Sequence, residues 1–516
     1  MFRKYALYFF PICLSLLISI NFFWSESFLS GFDTPFYLST IRDFARDVPS
    51  ITNYFILDRY LVIGFPALLS RLFNLDPVAS YRIAITVISA IISILISKLM
   101  FKLTKSRLAG IALASAVIIS PYLLTYSYML FANYTSFVIL FAFFAIELGK
   151  EFRLKSVVLG VVLGLIFYIH NFSSVAYSLV VGLYFIFKLI LEDNRLSTIK
   201  RATVILLISC VIGFFQIIKY FPVTLPPFLT VASSSSFVGS IINKIKIIAP
   251  SQPAVLGDEV QRIKATFLDE TGKYWLVYFV CFSLFAFITK RKEIVLNLKK
   301  FAFPLALFIV GLVFSFQPLV GLNFLPERFI GLVIISTFFF YAIFLSLFSK
   351  SKVFKILAVL PLLFTYLSSD TKILNRGPVF VNDMEVSFYQ KIAQIVPKEN
   401  SYILLPSGNY YWAKYYLDGY TFMPGDYFIA CGIVKIPDYQ NSADVAYAKL
   451  LSEKSVEEAQ LLLKATKNSI YMNITIKKLY IITNHSMNCS EGYVLDKLSG
   501  VKLILNKDNF YLYEVL

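Results

Sequence analysis

Asp33 stands in the run Gly31-Phe32-Asp33-Thr34-Pro35-Phe36-Tyr37, shortly after an apolar stretch ends near Trp24. A carboxylate among aromatics at a membrane boundary can take a proton from an acceptor while the partner substrate is tethered to lipid. The same spacing makes Asp33 an N-cap for a helix opening at Thr34-Pro35, since Pro suits the first helical position. From spacing alone the cap is the simpler reading. Pro326-Glu327-Arg328-Phe329 opens a later apolar run. Arg328 there offers a rigid fork of donors to a phosphate, or it anchors at the interface paired with Glu327. His170, one of two histidines, closes another apolar run in Tyr168-Ile169-His170-Asn171-Phe172. It is a titratable group at a depth that suits substrate contact, or a satisfied residue at a helix end.

A metal would need more ligands than these. Asp33 is an available partner for His170, but no second His or cluster of carboxylates accompanies it. A divalent metal is compatible with this chemistry but unsupported by the ligand set, and no cofactor is called for. The aromatic run Tyr410-Tyr411-Trp412-Ala413-Lys414-Tyr415-Tyr416, followed by Asp418-Gly419-Tyr420, offers flat ring faces to a sugar. Core packing, or docking against the membrane, is the commoner use of such clusters.

The elements that position these residues are membrane spans. Of 516 residues, 58% are apolar, 17% aromatic and only 15% charged, well below the charge of soluble chains. Apolar runs of roughly 20 residues, the length that crosses a bilayer as a helix, fall at 5–24, 78–101, 108–126, 128–148, 156–172, 173–191, 202–220, 274–289, 301–322, 329–348 and 353–369. The first follows Arg3 and Lys4 without a small-residue cleavage site and reads as a retained anchor. The run Leu61–Phe73 is too short to cross comfortably and is expected to lie in the interface or against the bundle.

The formal charge of +17 is confined to this part of the chain. From Asp370 onward there are 15 basic and 15 acidic residues, leaving 33 basic against 16 acidic upstream. The excess sits in short connections that include Lys102, Lys105, Lys155, Lys188, Lys299 and Lys300, which is a topology signal and not a nucleic-acid groove. It places the N-terminus in the cytoplasm. Eleven spans then put the C-terminus outside, together with loops 25–77 and 221–273. The expected domains are 1–369, transmembrane, and 370–516, an extracytoplasmic α/β domain. In the latter, Ser401–Pro406 and Lys478–Thr483 read as buried strands and Ala443–Ala465 as a helix. Cys431 and Cys489 fall there, and the sequence leaves their pairing open.

The plan resembles the GT-C membrane glycosyltransferases, the superfamily of oligosaccharyltransferase catalytic subunits and protein O-mannosyltransferases. The likeness covers most of the chain: many spans, two outer loops, an outer C-terminal domain, and Asp33-Thr34-Pro35-Phe36-Tyr37 with Arg42. It implies that Asp33 is catalytic, with Tyr37 and Arg42 at the substrate, and that Arg328, with Glu327, holds the phosphate of a polyprenyl-phosphate sugar donor. The acceptor would be a glycan, lipid or protein, in a setting of membrane lipids. Two departures point away from peptide Asn glycosylation and towards transfer of one sugar. The loop Tyr122–Met129 carries no acid, and the family's Trp-Trp-Asp-Tyr-Gly run is absent. The rivals are a transporter or lipid flippase, and a non-catalytic membrane assembly protein. The sequence shows no internal repeat and few charges at span centres, which a transporter would be expected to have.

Overall fold

The computed structural model describes residues 2–20, 34–46, 59–120, 131–192, 194–220, 273–320, 327–348, 353–368, 383–406, 410–425, 455–473, 478–484, 494–507 and 509–516, with isolated positions between them. Asp33, the loop 221–250, Cys431 and Cys489 lie outside the described residues. Two units divide the chain: Met1–Leu29 with Phe44–Gly377, and Ser30–Asp43 with Pro378–Leu516.

The first unit is helical. After α1 (Phe2–Ser19), the helix α2 (Thr34–Arg46) falls mostly to the second unit. The first unit continues with α3 (Tyr60–Phe73), α4 (Pro77–Thr104), α5 (Arg107–Ile118), α6 (Phe131–Glu147), α7 (Lys155–Leu165), α8 (Asn171–Leu191) and α9 (Arg195–Tyr220). It closes with α10 (Lys273–Leu296), α11 (Leu298–Ser315), α12 (Glu327–Ser346) and α13 (Val353–Ser368). Among the described residues five segments are long and apolar enough to cross a membrane: Pro77–Thr104, Ser173–Leu191, Arg195–Phe214, Leu298–Leu319 and Phe329–Ser346. Shorter apolar helices accompany them, among them Leu7–Ser19, Phe131–Glu147 and Ile356–Tyr366. Large apolar side chains stay uncovered on their outer faces, such as Val211 at 73% and Ile288 at 78% exposure. A soluble bundle would bury such residues, whereas lipid solvates them.

α4 is central, packing on α1, α3, α5, α6 and α12. Its start is fixed by Pro77 at the first position and by Asp76, whose carboxylate accepts from the Val78 amide at 2.8 Å. α3, with 14 residues, rises about 21 Å and falls short of a bilayer core; it lies against α4. α7 and α9 approach closely through Gly160 and Gly164. A Cβ on Gly164 would stand 2.6 Å from Ile212 Cβ, and one on Gly160 2.7 Å from Ile208 Cβ. This is the small-xxx-small packing that replaces the hydrophobic effect between helices in lipid. α10 leaves helical geometry at Lys290 (φ −123°, ψ 22°), where its apolar run meets Lys290-Arg291-Lys292.

The second unit holds a five-stranded sheet: β1 (Ser401–Pro406), β2 (Thr421–Gly425), β3 (Lys478–Asn484), β4 (Val501–Lys507) and β5 (Phe510–Val515), in the order β2-β1-β3-β5-β4. β1 runs parallel to β2 and β3, and β5 runs antiparallel to β3 and β4. The parallel centre explains the unbroken apolar runs in β1 and β3, since both faces are covered: Ile403, Leu404, Leu405, Leu479, Tyr480 and Ile481 are all buried. Its helices are α14 (Asp383–Ile395), α15 (Tyr410–Tyr416) and α16 (Val456–Asn473). α16 begins later than the expected Ala443 and runs past Ala465. Ser455 sets its start, accepting from the Glu458 amide at 3.3 Å, as an N-cap does. Except for Leu450, residues 443–454 lie outside the described residues.

Candidate active site

α2, the helix that follows Asp33 in sequence, is anchored by Arg42. Tyr37, Leu38 and Ile41 are buried to 1% exposure or less, at the spacing of one helix face. Beside them Arg42 donates from Nη1 to the Tyr415 carbonyl at 2.7 Å and from Nη2 to the Lys414 carbonyl at 3.3 Å. Those carbonyls belong to the last turn of α15, which has no further turn to accept its bonds. A guanidinium is favoured there by both hydrogen bonding and the helix dipole. Its charge is matched by Asp43, at 3.1 Å, and Asp418, at 3.2 Å, while Lys414 reaches the other Asp43 oxygen at 3.3 Å. Gly419, with φ 80°, turns the chain just beyond.

Asp418 has a second neighbourhood. With Gln394, Lys398, Tyr416 and Tyr420 it lines a cleft of about 630 Å³. Tyr420 donates to the Val396 carbonyl at 2.8 Å, and burial pushes its phenol pKa up. Tyr416 is held in a line of rings, stacked at 6.0 Å on Trp412 and at 6.0 Å on Tyr389. Trp412 is only 3% exposed, so its ring is spent mainly on protein packing. Tyr411 lies on the same helix, with its side chain outside the described set. The aromatic run thus brings Tyr416 to a cleft and keeps Trp412 behind it.

The remaining candidates belong to the helical unit. His170 is the N-cap of α8: its Nδ1 accepts from the Ser173 amide at 3.1 Å and meets Ser173 Oγ at 3.0 Å. A ring nitrogen that accepts a backbone N–H carries no proton, so the neutral tautomer here is protonated at Nε2. Ser173 Oγ in turn accepts from Asn133 Nδ2 at 3.3 Å. Asn133, buried near the start of α6, was not singled out by its sequence setting; only a polar residue inside an apolar run hinted at it. Glu327 and Arg328 form the first turn of α12, with side chains outside the described set. Glu327 suits a helix start, whereas an Arg there runs against the dipole, so helix stability does not account for it. Among the described residues no group of three or more His, Cys, Asp or Glu could hold a metal ion.

No protein-family model and no curated protein matches the chain. Among solved structures it is similar to the cryo-EM structure of the arabinofuranosyltransferase AftD from Mycobacteria, with a TM-score of 0.56 and 12% identity. The alignment covers 99% of this chain and 40% of that one, so this chain spans well under half the length of its neighbour. At that identity the likeness is one of fold. The chain shares the fold of the matched part of that structure, and the alignment extends over both units.

Proposed function

We propose that the chain is a membrane glycosyltransferase that moves one hexosyl or pentosyl group from a polyprenyl-phosphate carrier to an acceptor hydroxyl outside the cytoplasm. The acceptor is a glycan, lipid or protein. The observation that carries this reading is the fold likeness to a membrane arabinofuranosyltransferase over 99% of the chain. It is supported by Arg42, which ties the helix after Asp33 to the unit that holds the aromatic cleft. In this reading eleven spans make up residues 1–369 and the N-terminus is cytoplasmic. Loops 25–77 and 221–273 and residues 370–516, an α/β domain, lie outside.

The leaving group sets the chemistry. A phosphate departs as a stable anion, so the acid that a glycosidase needs to expel an alkoxide is dispensable. Asp33 takes the proton of the acceptor hydroxyl, whose oxygen attacks the anomeric carbon from the face opposite the phosphate. The bond from that carbon to the phosphate oxygen breaks, its electron pair leaves with the polyprenyl phosphate, and configuration inverts. Base assistance of this kind is worth roughly 10²–10⁴ in rate. Arg328, with Glu327, in the first turn of α12, holds the departing charge. Neutral His170 is the second polar group at the donor. Tyr416 and Tyr420, with Tyr411 on the same helix as Tyr416, receive the acceptor sugar; Trp412 stacks behind Tyr416, and Tyr37 lies on the buried face of α2.

The test is donor turnover. Purified protein in lipid nanodiscs, offered a panel of polyprenyl-phosphate sugars, should release polyprenyl phosphate from one of them when acceptor is present. Arg328→Lys keeps charge but loses the bidentate fork, so donor affinity should fall about tenfold. Unchanged affinity in Arg328→Ala would remove its role, and no turnover with any such donor would reject the function.

A further inference from the structure

One end of the helical bundle carries a basic cavity that glycosyl transfer does not use. About 320 Å³ in volume, it lies where α4, α6 and α8 end and α11 begins, lined by Lys102, Lys105, Lys188, Lys299 and Lys300. Three glutamates share the lining, but each is already committed. Glu147, with a side chain 1% exposed, is clamped by Lys188 at 3.0 Å and Arg201 at 2.5 Å. Glu151 pairs with Lys155 at 2.8 Å and Arg201 at 3.0 Å. Glu192 accepts from Thr198 at 2.9 Å and meets Lys188 at 3.5 Å.

The lysines are committed less fully. Lys102 donates to the Ala145 carbonyl at 2.9 Å, a bond that leaves its charge uncompensated. The side chains of Lys105, Lys299 and Lys300 make no hydrogen bond or ion pair among the described residues. Four ammonium groups therefore rim one small cavity with no carboxylate paired to them among the described residues; Lys105, Lys299 and Lys300 are exposed, so an approaching anion meets their charge without displacing a protein partner. The rest of the lining is Leu103, Phe303, the partly exposed Leu148 and the ring of Tyr184, whose hydroxyl donates to Glu147 at 3.4 Å. Leu298, beside Lys299, is 40% exposed. A soluble anion has no use for that border, whereas a lipid presents a phosphate and its acyl chains together.

We propose that this cavity binds the phosphate headgroup of an anionic membrane lipid, with Lys102, Lys105, Lys299 and Lys300 around the phosphate and the acyl chains running down the adjacent helix faces. The volume admits a phosphate with a short polar substituent. The site depends on no catalytic residue, so it stands or falls separately from the reaction proposed above.

Native mass spectrometry of the full chain released from detergent tests it, with dioleoylphosphatidylglycerol and dioleoylphosphatidylcholine as probes. One phosphatidylglycerol should be retained in preference to phosphatidylcholine. A lysine near a membrane surface contributes about a fivefold gain in affinity for anionic lipid, so the triple variant Lys105→Gln, Lys299→Gln, Lys300→Gln should lose about a hundredfold. The charge-conserving Lys105→Arg, Lys299→Arg, Lys300→Arg should keep the lipid, which separates lost binding from lost folding. Equal retention of the two lipids, or full phosphatidylglycerol binding by the Gln variant, would overturn the proposal. Displacement of the lipid by micromolar inorganic phosphate would also overturn it, by assigning the cavity to a soluble anion.

Discussion

Arg42→Ala should loosen α2 and α15 together. The side chain is 11% exposed, against 41% for Asp43 and 33% for Asp418, so the cluster lies between a surface pair worth about 0–1 kcal/mol and a buried one whose breakage costs about 3–5 kcal/mol. Truncation also strips the Lys414 and Tyr415 carbonyls of charged donors, each bond of that kind being worth about 1.5–3 kcal/mol before solvent compensates. A net loss of about 2–3 kcal/mol follows. Because the chain has two units, a single melting temperature would blur the effect, and hydrogen exchange resolved by peptide is the better assay. Amides of residues 34–43 and 410–416 should exchange about 30–150 times faster, with the helical unit unchanged. Arg42→Lys, which keeps one charge and loses the fork, should fall between. If exchange in both helices stays at the wild-type level while turnover collapses, Arg42 touches substrate and the anchoring argument is refuted.

Gly164→Leu would drive a side chain into Ile212, whose Cβ lies 2.6 Å from the position of a Cβ at residue 164. It should part α7 from α9 and lower thermal stability more than Gly182→Leu, where nothing lies within 4 Å. His170→Ala should cost about 1 kcal/mol in detergent unfolding through loss of the cap on α8, and His170→Asn should recover most of it because Asn caps well; equal loss in both variants would contradict the capping geometry. Glu147→Ala leaves Lys188 and Arg201 facing each other in a buried site and should destabilise by about 3–5 kcal/mol, a loss that calorimetry of the purified chain would register. The Glu151 carboxyl is held below its ordinary pKa chiefly by the hydrogen bond from Lys155, with Arg201 adding to it against a desolvation cost. Its folded-state pKa being depressed, the stability it contributes is fully present above the ordinary carboxylate range and is lost as pH falls from there through the depressed folded value. Glu151→Gln should therefore flatten the acid side of the pH–stability curve, by little because the side chain is 71% exposed.

The membrane fold was legible because lipid demands long apolar runs, and the strands at Ser401 and Lys478 because a covered parallel centre demands unbroken apolar residues. What stayed hidden depends on contacts far apart in sequence. Arg42 was legible only as a candidate substrate contact carried by the resemblance; its fork on carbonyls more than 370 residues away is visible only in the structure. Tyr416 and Trp412 read alike in an aromatic run, and burial alone separates the ring that lines the cleft from the one behind it. The lysines at 102, 105, 299 and 300 were visible as a topology signal, but their meeting around one cavity required the packing of α4 against its neighbours. Gly160 and Gly164 carried a readable spacing, whose weight comes from the isoleucines of α9 that fill it.

Asp33→Asn is the most direct test of the proposed catalysis. The amide has nearly the same shape as the carboxylate and caps a helix about as well, but it cannot accept the acceptor's proton. Single-turnover transfer by the purified variant in nanodiscs, followed as release of polyprenyl phosphate, should fall by at least about 10² while donor affinity stays within about twofold, the mark of a group that acts in the transition state. Transfer by Asp33→Asn at near the wild-type rate would contradict the account and leave Asp33 as a cap alone.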